Sequence, residues 1–231
     1  MPEPPGASPA SVGDPRRRVD VVECQIRFRK EAGRELAVLV WRLPSSMRAV
    51  ASAPYGGGLG PRRWVINAQV PPSYARRDPE HHLGKLGVSL GLPGRGVGML
   101  TAADVRAHSG ACDGGVVVNA TVGLGHPIVA AAPDDGQRQP LVGTINMVVS
   151  VPERLSDSAL VNAVATVTEA KTQALFDSGL IATGTATDAV CVLCPDDGRP
   201  HSFAGPRSIW GSRIARAVHS AVIDGAKGPH R

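Results

Sequence analysis

Aromatic residues are scarce: Phe, Trp and Tyr make up only 3% of the 231 positions. A core made from this chain must rely on Ala, Val, Leu and Ile, with Trp41, Trp64 and Trp210 as scattered large fillers. Cysteine is sparse too, and Cys24, Cys112, Cys191 and Cys194 are too irregularly spaced for the disulfide framework of a small secreted domain. Cys191 and Cys194 form a CxxC inside the strand-like run "AVCVLCP", with no second pair and no histidine at zinc-ligand spacing, so they read as buried structural thiols. No window approaches the roughly 18 apolar residues of a membrane span, and the N-terminus lacks the apolar stretch of a signal peptide. A cytoplasmic protein without membrane contact is expected. HExxH, Walker and GxSxG motifs are absent, and "GRGVG" is too short for a dinucleotide fingerprint, so no cofactor or metal is implied.

What is present is a hydrophobic content of 42%, enough for one generous core, and a net charge of +5. The basic residues fall in short clusters (Arg16, Arg17 and Arg18; Arg62 and Arg63; Arg76 and Arg77) rather than along one helix. That pattern argues for a solvated surface and against nucleic-acid binding, while leaving a field that favours an anionic small ligand. Residues 1–18 hold five prolines and almost no large apolar side chain, which predicts a disordered tail. A single domain is expected over 19–226, with 227–231 as a second tail. Homo-oligomerisation is left open.

Alternation in "VDVVECQIRFRK" predicts a half-buried strand with Val22, Cys24, Ile26 and Phe28 inward, and "EAGR" a hairpin turn into a second strand, "ELAVLVWRL". "RWVINAQV", "RGVGMLTAADV", "DGGVVVNATVGL" and "LVGTINMVVSV" read as further strands, "HHLGKLGVSLGL" as a short helix and "DDGQRQP" as a turn. The longest periodic segment, residues 156–179, predicts a helix with Ser156 as N-cap and Gly179 at its end. A last helix is expected in "PRSIWGSRIARAVHSAVIDG", between Pro206 and Gly225. Strands both adjacent and separated by helices give an α+β or α/β fold with a mixed sheet packed by helices. "WVINAQVP" and "TINMVVSVP" suggest two pseudo-equivalent strand-helix-strand halves. The asparagine-to-threonine separation is 34 residues in the first (67 to 101) and 41 in the second (146 to 187). Such halves would bring both polar segments to one crevice.

At about 100° per residue, Leu160, Val164, Val167 and Leu175 share one face of the long helix, and Lys171 falls within it. An ammonium there is costly unless a carboxylate meets it, and Asp188 is the nearest partner in sequence. Two roles stay open for Lys171: a structural ion pair, or chemistry. Asp188 ends the dense polar stretch "ATGTATD", in which Gly184 marks a close backbone approach. Glu169 points the other way, beside Asn162 and Gln173. The histidines show no metal spacing: His81 and His82 are adjacent, and His126 reads as a turn residue. The run Gly56, Gly57 and Gly58 is a flexible loop or a place where backbone meets ligand.

The ordered segments "YGGGLG", "WVINAQV", "VGMLTAA", "ATVGLGHP", "GTINMVV", "LVNAVATVTEAKTQAL", "ATGTATDAV" and "FAGPRSIWGSRIARAV" resemble the adenosylcobinamide amidohydrolase family over roughly residues 45–225, with "TEAKTQAL" and "ATGTATDAV" the most specific. The resemblance implies hydrolysis of the amide joining the aminopropanol arm to the corrin ring of adenosylcobinamide, giving adenosylcobyric acid for coenzyme B12 salvage. The corrinoid is then substrate, not cofactor. Amide hydrolysis needs an activated water or nucleophile, an oxyanion donor and an acid for the amine. The residues suggest Asp188 as general base, Lys171 as its charge partner or oxyanion donor, and Thr185 and Thr187 to orient water or substrate. A threonine nucleophile competes with this scheme, and Glu169 is a fallback acid or base. Asn67, Thr101, Asn146, Gly184, Glu169 and the Gly56, Gly57, Gly58 run are candidate substrate contacts. Alternatives are a noncatalytic corrinoid-binding protein and an amidase for another amide.

Overall fold

A computed structural model of the chain describes residues 22–31, 33–133 and 143–228. The predicted tail at 1–18, the last three residues (229–231) of the predicted tail at 227–231, and the "DDGQRQP" turn lie outside these residues. Among the described residues the element order is β1 (Cys24–Glu31), β2 (Arg34–Ala51), β3 (Gly58–Gln69), α1 (Pro79–Ser89), β4 (Gly96–Thr101), β5 (Ser109–Asp113), β6 (Val116–Gly123), β7 (Thr144–Ser150), α2 (Asp157–Asp177), β8 (Ala189–Cys194) and α3 (Ile209–Ala226). The strands form one mixed sheet in the order β4-β3-β2-β8-β7-β6-β5, with β1 paired to β2 off that path. The fold is α+β. Among the described residues no helix is long and apolar enough to cross a membrane.

The long strand β2 is the spine. Its first part pairs with β1 and β3, its register against β3 shifts between Arg42 and Met47, and its last residues, Arg48–Ala51, pair with β8. The predicted second strand stopped at Leu43 because "PSS" carries the composition of a loop. A bulge instead absorbs Pro44, whose missing N–H is tolerated where the ladder is already broken. The bend lays β3 and β4 over β6 and β7, and side chains separated by the strand order meet across the fold.

Alternation then sorts three apolar clusters. Val38, Val40, Trp64 and Ile66 face α1. Their neighbours Leu39, Trp41 and Val65 point to the inside of the fold, against Val148, Cys191 and Leu193. Val118, Met147 and Val192 form the outer face that α2 and α3 cover. Cys191 and Cys194, three residues apart in one strand, fall in different clusters and cannot share a ligand. Both are buried free thiols, and burial pushes Cys191 up to about 12.

Several expectations change. The apolar side of the first strand is covered only at its start: Val22 is buried and Cys24 half-buried, whereas Ile26 and Phe28 are exposed where β1 runs on as an edge strand past the core. β5, "SGACD", carries no apolar periodicity and went unseen; it is held by antiparallel pairing to β6 through a two-residue turn with Gly114 and Gly115 at positive φ. α3 starts after the Ser208 cap, whose side chain accepts the Gly211 N–H, and runs through Gly225. The cap of α2 is as expected, with the Ser156 hydroxyl accepting the Ala159 N–H.

The two strand-helix-strand halves exist as topology: β3-α1-β4 and β7-α2-β8 both join parallel neighbours. Their residues are not in equivalent positions, however. Asn67 pairs with Met99, two residues before Thr101, whereas Asn146 pairs with Ala189, two residues after Thr187. The unequal sequence separations come from the longer second helix, 21 residues in α2 against 11 in α1, and the opposite offsets narrow the difference rather than cause it.

Candidate active site

The inside of the folded sheet is apolar at one end and polar at the other. At the polar end Asn146 Nδ2 donates to Asn67 Oδ1 at 2.9 Å and to the Leu100 carbonyl at 2.8 Å. Asn67 Nδ2 in turn donates to Thr121 Oγ1 at 2.9 Å. Asn67, Asn146, Thr101 and Thr121 are all buried. A buried amide costs little only when its polar atoms are satisfied, and here β3, β4, β6 and β7 satisfy one another. The Thr144 hydroxyl donates to the Thr187 carbonyl at 2.8 Å, and Thr187 Oγ1 lies 3.0 Å from Thr144 Oγ1.

This network opens into a cavity of about 540 Å³ whose polar wall includes Thr101, Thr144, Asn146 and Thr187. The cavity's lining also includes the segment after β3, from Val70 to Ala75, with Pro71, Pro72 and Tyr74, and Pro79 at the start of α1. Its volume suits one small ligand or the arm of a larger one. The Thr101 hydroxyl accepts the Ala103 N–H at 3.1 Å, leaving its own hydrogen to donate.

Beneath this wall lies a second polar cluster. Thr187 and Ala189 line the cavity, whereas Asp188, the residue before β8, turns to Lys171 of α2. There Lys171 Nζ donates to Asp188 Oδ2 at 2.5 Å, with side-chain exposures of 8% and 12%. Asp188 Oδ1 also accepts the Thr185 hydroxyl at 2.5 Å and the Ile145 N–H at 2.9 Å, and the Thr185 N–H lies 3.2 Å from Oδ2. An incoming water would have to displace one of these donors. A methyl group at Gly184 would overlap both the carboxylate and the ammonium, so only glycine lets the chain pass the ion pair.

Thr101, Asn146 and Thr187 therefore line one cavity; Asn67 supports it from behind; Lys171, Asp188, Thr185 and Gly184 form the cluster beneath. Two sets of candidates are elsewhere. Glu169 is exposed on the outward face of α2, in a shallow depression with Thr172, Gln173 and Phe176. The glycine run packs against protein: a side chain at Gly56, at φ +66°, would collide with the Gly96 carbonyl, and the buried Arg62 guanidinium donates to the carbonyls of Gly56 and Gly57. Gly58 opens β3.

A constellation invisible in the sequence completes the cavity. "PPSY" forms a turn in which the Tyr74 N–H reaches the Pro71 carbonyl at 2.9 Å, with Pro72 fixing φ at the second position. Tyr74 Oη lies 2.9 Å from His82 Nδ1, and His82 Nε2 lies 3.1 Å from Glu31 Oε1. His82 is buried on the inner face of α1. Burial raises the Tyr74 phenol above its ordinary value; Arg76 opposes this, Asp78 and Glu31 add to it, and Arg29 opposes. No three His, Cys, Asp or Glu side chains among the described residues are grouped as metal ligands.

Fold and site together define an α+β protein with one polar crevice at the seam of a folded sheet. The adenosylcobinamide amidohydrolase family model matches residues 22–229, and the chain belongs to that family, whose enzymes hydrolyse a carbon–nitrogen amide bond. An adenosylcobinamide amidohydrolase of Methanosarcina mazei is 30% identical over 179 residues, covering 73% of this chain and 85% of that one. Another of that name, from Halobacterium salinarum, is 34% identical over 114 residues, covering 47% and 49%. The solved structure of the PH0078 protein from Pyrococcus horikoshii OT3 is 12% identical, with a TM-score of 0.44 over 82% of this chain and 77% of that one.

Proposed function

We propose that this chain hydrolyses the amide linking the aminopropanol arm to the corrin ring of adenosylcobinamide, in the cytoplasm, and that the adenosylcobyric acid released re-enters coenzyme B12 synthesis. The observation that carries the reading is the crevice wall of Thr101, Thr144, Asn146 and Thr187, backed by Asn67. Hydroxyl and carboxamide groups are the complement of an amide-bearing arm, and the prolines and Val70 of the same lining suit the apolar edge of a macrocycle.

In this scheme Thr187, Thr144 and Asn146 bind the scissile amide. Of the two roles open to Asp188, the geometry favours that of a strut: its oxygens are occupied by Lys171, Thr185 and Ile145, and it faces α2. Lys171, Asp188 and Thr185 then fix the backbone that presents Thr187. Purified protein incubated with adenosylcobinamide, followed by mass spectrometry, is expected to release aminopropanol and leave adenosylcobyric acid. Corrinoid bound without aminopropanol release would instead support a noncatalytic binding protein. Turnover confined to an unrelated amide would move the substrate class.

A further inference from the structure

The amide-binding wall keeps one hydroxyl hydrogen uncommitted, that of Thr101, but none of its groups is an evident proton carrier, and Asp188 is turned away from it. Tyr74, which lines the cavity, heads a chain of three side chains from three elements: Tyr74 on the turn after β3, His82 on α1 and Glu31 at the end of β1. We propose that Tyr74 is the acid–base residue of the hydrolysis, with His82 and Glu31 as positioning residues that make its hydroxyl a reversible proton relay. This rests on the amide-hydrolase reading above.

The hydrogen-bond order follows from the contacts. A Glu31 carboxylate can only accept, so His82 Nε2 carries a hydrogen toward it, and a neutral His82 leaves Nδ1 bare. Tyr74 then donates to Nδ1, and the free lone pairs of its oxygen are available to the cavity it lines. Tyr74 sits where a triad places its serine, but the raised phenol keeps its proton in the resting state and acts as a relay rather than a standing phenolate.

The proton balance closes. A water positioned between Tyr74 and the amide gives a proton to the phenol oxygen as the phenolic proton passes to His82 Nδ1. The new hydroxide oxygen bonds to the amide carbon, and the carbonyl electron pair moves to oxygen, to which the uncommitted hydroxyl hydrogen of Thr101 can be donated. Glu31 stabilises the imidazolium. On collapse the carbon–nitrogen bond breaks, the nitrogen takes the phenolic proton, and Nδ1 returns its proton to the Tyr74 oxygen. The products are a carboxylic acid and an amine, with no other reactant.

The relay is not simply a packing tie. The rings of Tyr74 and His82 already stack, with centroids 5.6 Å apart at 23°, so the hydroxyl is not needed to hold them together. Tyr74→Phe keeps that stack and removes only the hydroxyl. With adenosylcobinamide as probe, Y74F is expected to lose about two to four orders of magnitude in kcat while KM and Tm stay near those of the parent chain. His82→Gln keeps hydrogen-bonding capacity without a proton-accepting ring nitrogen and is expected to fall similarly, and Y74F/H82Q no further than either single variant. Near-parental kcat in Y74F overturns the relay while leaving the amidohydrolase reading intact. A loss in Y74F expressed wholly in KM or Tm also overturns it, by making Tyr74 a binding or packing residue. A parent chain that binds the corrinoid but releases no aminopropanol overturns both.

Discussion

Lys171 and Asp188 show how much a single position can say. A lysine on an apolar helix stripe demands a carboxylate, and a glycine two residues after Ala182 demands a close approach; both demands meet at one ion pair. What the residues did not say was which side of the sheet Asp188 faces. That depends on where β8 begins, and the polar run before Ala189 has no periodicity to reveal it. Asp188→Asn separates the two roles. A strut predicts a loss of about 3 kcal/mol, because a buried ammonium is left without its carboxylate, and activity falls with the fold. A general base predicts that kcat stays reduced about 100-fold or more even where the variant is fully folded, whatever the cost in Tm. Thermal unfolding and turnover measured on the same sample decide between them, and the bonds to Lys171, Thr185 and Ile145 favour the first outcome. Tyr74, His82 and Glu31 lay beyond sequence reasoning, since spacing cannot pair a turn, a helix and an edge strand. Of the adjacent pair His81 and His82 only the second is buried, a difference that adjacency in sequence does not reveal.

Elements with strong periodicity were legible, and those defined by a partner were not. α2 was readable because its cap, its apolar stripe and its end all agreed, whereas β5 exists only through its ladder to β6. β2 was readable up to Pro44 and lost beyond it, although the unread half joins β8 and closes the fold over the site. α2 carries Lys171 on its fourth turn, so its N-terminal cap is far enough from the ion pair to test the helix alone. Ser156→Ala removes the acceptor for the Ala159 N–H and is expected to cost about 1 kcal/mol in urea unfolding. Asp157, whose carboxylate takes a bidentate pair from Arg48 of β2, remains to anchor the helix start. Turnover of S156A at temperatures well below its midpoint should therefore match that of the parent. A large drop in kcat at full folding would show that helix position and site are coupled along the whole of α2.

At the scale of the molecule, the site lies where the two halves of one sheet close on each other, and the Asn67–Asn146 pair is the contact that joins them. The paired Ile-Asn steps in the sequence hinted at this meeting, but the halves meet with opposite offsets. An alignment that superposes Asn67 on Asn146 puts Thr101 and Thr187 at different depths, although both reach one cavity. The arrangement has an energetic consequence. Asn67→Ala leaves an Asn146 hydrogen and the Thr121 hydroxyl without their partner, and Asn146→Ala strands the Asn67 carbonyl oxygen and the Leu100 carbonyl. Each single substitution should cost about 1–3 kcal/mol, since it orphans buried polar groups. The double variant should cost less than the sum, with a coupling of at least about 1 kcal/mol, because the second substitution removes groups the first had already stranded. Denaturant midpoints of the four proteins give this coupling directly. The two singles should differ in function: N146A strips a group from the cavity wall and should raise KM, whereas N67A acts from behind it. Additive costs would mean that the halves are held by their apolar interior alone and that the asparagine pair serves only the ligand.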